Sequence, residues 1–184
     1  MKIALVGLSQ LSFPGDKEGR FRKSAEDLRA LLVAMDASLY VYPETVITPE
    51  DMAVALRAIK AECPDFLLAQ CTSFSAGFLA QSLAKAGIPL GFWALPEGVE
   101  GGVMQLNSLC SINMYMAIVR AYYPADRIPV KWFYGEVGDE LFAPRMRVTV
   151  KAIKAINAVC SSKVALIGGI APGFNDLYFD ERKL

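Results

Sequence analysis

The chain has 184 residues, 54% of them hydrophobic and only 21% charged, and it contains no histidine, which removes imidazole bases, histidine-dependent triads and histidine metal ligands from consideration. Nineteen basic and nineteen acidic side chains cancel, leaving no cationic field to hold a phosphate backbone, so nucleic acid is excluded as an expected partner. A mean hydropathy of +0.33 predicts that part of the apolar surface meets another chain or another domain.

Lys2 to Gly7 reads as a first strand, apolar on both faces and therefore buried on both. A polar loop, Ser9 to Gly19, leads to a helix marked by Leu28, Leu31, Leu32 and Met35, with Ser24 in a capping position. Leu39 to Tyr42 makes a second strand. Thr48-Pro49-Glu50-Asp51 then combines a capping hydroxyl, proline in the first turn and two acids facing the helix dipole. The helix it opens has Met52, Leu56, Ile59 and Cys63 as its buried stripe, and Pro64 ends it. Phe66 to Cys71 is a third strand, Ser75 to Ala86 a helix closed by Gly87, and Ile88 to Trp93 a fourth strand. After a loop from Ala94 to Gln105, Asn107 or Ser108 caps a helix to Tyr122. Val130 to Tyr134 is a fifth strand. Pro144 opens a long helix to Cys160, with Met146, Val150, Ile153 and Cys160 inward and Arg147, Lys151 and Lys154 on a solvated face. Lys163 to Gly168 reads as a sixth strand.

This alternation predicts an α/β, doubly wound, mostly parallel five-stranded sheet, flavodoxin-like or Rossmann-like, with helices on both faces. Residues 1–161 read as one domain. Two charge-free windows, Phe66 to Ala84 and Gly101 to Val119, approach membrane length, but Ser, Gln, Asn, Thr and Cys interrupt them, so no membrane span is expected. Four widely spaced cysteines, Cys63, Cys71, Cys110 and Cys160, fit reduced, buried thiols of a cytoplasmic protein.

In such a sheet, function lies in the loops at the carboxyl ends of the strands. Those loops hold neither G-x-G-x-x-G nor G-x-x-x-x-G-K-[ST], which argues against dinucleotides and nucleoside triphosphates. The run Ser9 to Asp16 is poor in hydroxyls, which argues against flavin. Arg20, Phe74, Trp93 and the Trp132-Phe133-Tyr134 run offer a hydroxyl or carboxylate binder and stacking faces, although strand-end aromatics are more often core. The turn Gly168 to Asp176 either brings backbone close to a ligand or simply connects domains. Glu97, Glu100, Glu136, Asp139 and Glu140 lie near loops, but no metal triad is assigned to them. From Phe66 to Tyr123 only Lys85, Glu97, Glu100 and Arg120 are charged. The two helices there have almost no charge to expose, and an interface between copies is expected on that side.

Ile88-Pro89-Leu90-Gly91-Phe92-Trp93, a glycine-rich loop, and then Leu106-Asn107-Ser108-Leu109-Cys110-Ser111-Ile112-Asn113 resemble the L-fucose isomerase and L-arabinose isomerase family. Val164 to Gly173 is similar to the opening of that family's second domain, and the first loop with Asp16 and Arg20 to its start. The resemblance implies that 162–184 are the first strand and glycine loop of a second, truncated domain. The resemblance implies an enediol interconversion of aldose and ketose at a divalent metal, usually manganese, whose ligands lie in later domains. It implies an oligomerising, substrate-rimming amino-terminal domain, inactive and metal-free alone, with Arg20 and Phe74 at a sugar pocket. Phe74 stands where the family carries tryptophan. The alternative is a free-standing flavodoxin-like module that binds a small ligand.

Overall fold

Which strands are apolar on both faces decides the order of the sheet. In the computed structural model, which describes residues 1–98, 101–123, 130–163, 165, 171–177, 180 and 182, strands β1 (Lys2–Leu8), β3 (Phe66–Cys71) and β4 (Leu90–Ala94) are buried almost throughout. They occupy the centre. Strands β2 (Ser38–Val46) and β5 (Val130–Tyr134), more polar and partly exposed, form the edges. All pairings are parallel, and the order is β2-β1-β3-β4-β5, the flavodoxin-like arrangement that the alternation of elements predicts.

Successive side chains point to opposite faces of the sheet. Ile3, Leu5, Phe66, Leu68, Trp93 and Phe133 pack under α1 (Lys17–Val33) and α5 (Ala143–Cys160). Ala4, Val6, Leu67, Ala69, Leu90 and Phe92 pack under α2 (Pro49–Ala61), α3 (Phe78–Ala84) and α4 (Ser108–Tyr122). Helices therefore cover both faces.

Element ends show where local rules prevail and where distant side chains override them. Helix α2 begins as expected: Asp51 N–H donates to Thr48 Oγ1 and Thr48 N–H to Asp51 Oδ2, each at 3.1 Å. Helix α1 starts well before the expected Ser24 cap. Asp16 is its cap, accepting from Gly19 N–H at 2.8 Å, and Ser24 lies buried inside the helix. Helix α3 starts at Phe78 instead of Ser75, because Ser75 N–H is taken by Ser111 Oγ of α4 at 2.6 Å and the Ser75 hydroxyl lies 2.9 Å from Tyr115 Oη. Helix α4 starts at Ser108 as expected, but neither Asn107 nor Ser108 caps it through its side chain. Asn107 sits at φ 54°, and Ser108 Oγ accepts from Leu95 N–H while donating to the Cys71 carbonyl.

Strand β2 runs past the expected end at Tyr42. Between Leu5↔Val41 and Gly7↔Thr45 its register jumps, and Pro43 sits in that irregularity on an edge, where a missing N–H is tolerated. The thiol expectation needs correction. Cys71 is buried, but Cys63, Cys110 and Cys160 are exposed: Cys63 falls past the end of α2 at φ 48°, Cys110 lies on the exposed side of the first turn of α4, and α5 buries no residue beyond Ile153. The sixth strand falls largely outside the described residues, as do the first three residues of the turn Gly168 to Asp176, whose last residues enter a short 3₁₀ helix, Asn175–Leu177. Among the described residues no helix is long and apolar enough to cross a membrane.

Candidate functional site

Because every strand is parallel, all the βα loops leave from one edge of the sheet. Strands β1 and β3 are neighbours whose chains depart to opposite faces, β1 into α1 and β3 toward α3. The crevice at this switch point is where doubly wound sheets bind ligands. Here Gln10 N–H donates to Ser73 Oγ (3.0 Å). On the other side of β1, toward β2, Ser9 Oγ lies 3.3 Å from Thr45 Oγ1 and the Thr45 hydroxyl donates to Glu18 Oε1 (3.2 Å). Thr72 Oγ1 donates to the Leu8 carbonyl (2.8 Å), which ties the two strand ends together.

Arg20, in the first turn of α1, spans the loops after β4 and β5. Its Nη1 donates to the Pro96 carbonyl at 2.7 Å and its Nη2 to Glu136 Oε1 at 2.6 Å. One guanidinium thus joins α1 to two loops, with its planar fork suited to two acceptors at once. Phe74 is half-buried, its ring 5.8 Å from that of Phe13, and its N–H donates to the Leu106 carbonyl. The loop after β3 is thereby stitched to the loops after β1 and β4, and Gly15 N–H adds a bond to the Gln105 carbonyl at 3.0 Å. Trp93 lies inside the core. Its indole N–H donates to the Gly135 carbonyl at 2.8 Å, and its ring stands 4.5 Å from that of Phe142. The structure therefore brings Arg20 and Phe74 to the loop edge and sets Trp93 beneath it. Trp132 is an edge-strand residue with the Arg145 guanidinium 4.3 Å from its ring centre, away from the crevice on β5.

Two participants were not singled out from the sequence. Glu136 appears there only as one loop acid among several, and its partner is 116 residues away. Gln70 is fully buried near the carboxyl end of β3, and neither its Oε1 nor its Nε2 has a hydrogen-bond partner among the described residues. Its signal in the sequence is slight, one carboxamide in the apolar run Phe66-Leu67-Leu68-Ala69-Gln70-Cys71. Glu97 has a structural task, because its carboxylate accepts from the N–H groups of Gln105, Leu106 and Asn107 ahead of α4.

The chemistry of this edge is recognition by hydrogen bonding. Among the described residues no group of three or more His, Cys, Asp or Glu could hold a metal ion. The donor set does not fit the manganese that the family resemblance implies, and no metal-dependent step is assigned to these residues.

No protein-family model matches the sequence. The chain is 22% identical over 175 residues to the sulfoquinovose isomerase of Alkalicoccus urumqiensis, covering 95% of this chain and 38% of that protein. It is 25% identical over 141 residues to the sulfoquinovose isomerases of Priestia aryabhattai and Priestia megaterium, covering 76% of this chain and 31% of each. The chain thus spans less than two-fifths of the length of these curated relatives. Among solved structures it is similar to an oxidoreductase from Corynebacterium diphtheriae, with 15% identity and a TM-score of 0.49 over 88% of this chain and 99% of that one.

Proposed function

We propose that this chain is an oligomerising, substrate-rimming domain of an aldose–ketose sugar isomerase, whose proton-transfer and metal centre is built from residues other than those described above. The observation that carries the reading is the similarity to a sulfoquinovose isomerase along 95% of the chain. The crevice supports it: hydroxyls, amides and a single arginine suit a polyhydroxylated ligand better than a flat cofactor. The relatives carry the name of a sulfonated hexose, so that sugar joins L-fucose and L-arabinose as a candidate, and a metal such as manganese belongs to the residues that complete the centre. The exposed, nearly charge-free surface of α3 and α4, including Phe78, Leu109, Ala117 and Tyr122, supports self-association on that side.

The test is amide chemical-shift mapping of the 184-residue chain with sulfoquinovose, L-fucose, L-arabinose and, as a contrast, flavin mononucleotide. The reading requires sugar-dependent shifts in the loops after β1, β3 and β4, and no aldose turnover by this chain with manganese. A response to the flavin alone would replace it with the free-standing small-ligand module, and turnover by the chain would overturn the assignment of chemistry elsewhere.

A further inference from the structure

Gln70 poses a specific physical question. A buried carboxamide with both polar atoms unpartnered is rare in native proteins, and each such group calls for an occupant or a cause. Its flanking residues cannot serve it. Across β1 its register partner is Gly7, which has no side chain, and the Phe21 ring fills that space, 3.1 Å from where a Gly7 Cβ would stand. Across β4 its partner is Trp93, whose only donor is committed to the Gly135 carbonyl.

These flanking groups connect the buried amide to the edge above it. Phe21 follows Arg20 in the chain, and Gly135 precedes Glu136. The 2.6 Å Arg20–Glu136 pair thus lies one residue along the chain from each of these two flanking groups, and it joins the start of α1 to the loop after β5. Both partners of that pair remain partly solvent-accessible, at 22% and 39%, so the bridge can open without unfolding the core. Two further polar atoms on the loop after β1 and on α1, Gln10 Oε1 and Ser24 Oγ, are likewise buried without partners.

We propose that Gln70 is the floor of a closed diol-binding subsite, with the Arg20–Glu136 pair as a strap that parts to admit a polyhydroxylated ligand. A carboxamide presents one acceptor face beside two N–H donors. It therefore matches a vicinal diol: one hydroxyl donates to Oε1, and the adjacent hydroxyl oxygen accepts from Nε2–H. The inference rests on the sugar-recognition reading above and assigns it a specificity-determining residue.

The experiment follows the side-chain NH2 signals of the ¹⁵N-labelled chain, with the Gln70 pair assigned by its loss in Gln70→Leu. Probes are sulfoquinovose, L-fucose and myo-inositol, the last a polyol that no ketol isomerisation can convert. The Gln70 pair is expected to shift with at least one probe, and Glu136→Gln, which weakens the strap, should tighten binding several-fold. Gln70→Leu should lose at least tenfold in affinity while melting a few degrees higher than the parent, because two orphaned polar atoms are gone. If sugars move the loop amides but leave the Gln70 pair and the Gln70→Leu affinity unchanged, the subsite is refuted while the sugar reading stands. If myo-inositol moves the Gln70 pair but no aldose does, the subsite stands and the isomerase reading falls. An unmoved Gln70 pair with every probe, in both the parent and Glu136→Gln, refutes the subsite outright.

Discussion

Cys71 shows how thoroughly one side chain can be set by its surroundings. Burial pushes its thiol up to about 12, although hydrogen bonding with Ser75 and Ser111 opposes the shift. Burial raises the neighbouring Tyr115 phenol as well. An acid whose folded pKa lies above its unfolded value gives stability below the ordinary thiol range and loses it as pH climbs toward 12. Unfolding free energy should therefore fall with a slope of up to about 1.4 kcal/mol per pH unit for this thiol alone. Denaturant melts from pH 8 to 11 check this, and Cys71→Ala should flatten the profile relative to the parent. A thiol reagent at pH 8 should label Cys63, Cys110 and Cys160 in the native chain, and Cys71 only after denaturation. Fast native labelling of four thiols would contradict the packing around Ser75 and Ser111.

At the scale of elements, helix starts test how far local chemistry reaches. Thr48 and Asp51 form a reciprocal cap that depends on nothing beyond its own four residues, so Thr48→Ala should cost about 1 kcal/mol in an equilibrium denaturant melt. Asp51 is held below the usual carboxylate range by its hydrogen bonds with Thr48. Its contribution is complete above the unfolded carboxylate pKa and disappears as acid protonates it in the folded chain. Helix α4 is different, because it has no side-chain cap of its own and the three N–H groups just ahead of it are held by Glu97 from the preceding loop. Glu97→Ala should raise amide hydrogen exchange at Gln105, Leu106 and Asn107 at least tenfold while leaving the centre of β3 protected. Uniform exchange across both segments would show that the carboxylate stabilises the whole domain instead.

For the molecule as a whole, the number of strands, their parallel course and the central placement of the most apolar ones are legible in the sequence because they follow from patterns within single segments. Phe66 to Cys71 and Leu90 to Ala94 have no polar face to expose, so both must be central. What escaped is what depends on residues far apart in the chain. Ser75 reads as a helix start until Ser111, 36 residues away, takes its N–H. Arg20 reads as a loop arginine until Glu136 folds beside it, and Gln70 passes as one residue of an apolar strand until its two polar atoms are seen to be buried without partners. The scarcity of charge between Phe66 and Tyr123 was visible at once, and the structure puts Leu109 and Tyr122 about half to three-quarters exposed on α4. If that surface joins copies of the chain, Ala117→Glu should reduce the mass measured by light scattering to that of one chain, with no change in far-ultraviolet circular dichroism. A parent already monomeric at tens of micromolar would remove the self-association from the proposed function.

The three N–H donors that Glu97 gathers give the domain a place where evolution and engineering have latitude. They fasten the two ends of the segment between Glu97 and Gln105, and Gly101 and Gly102 within it have positive φ and open space around them. Once the ends of a loop are tied, lengthening it costs little, since closure entropy grows only with the logarithm of its length. A short peptide or fluorophore tag inserted between Gly101 and Gly102 should leave the melting temperature within a few degrees of the parent. It would also place a reporter in the loop that ends just before Leu106, whose carbonyl accepts from Phe74 N–H.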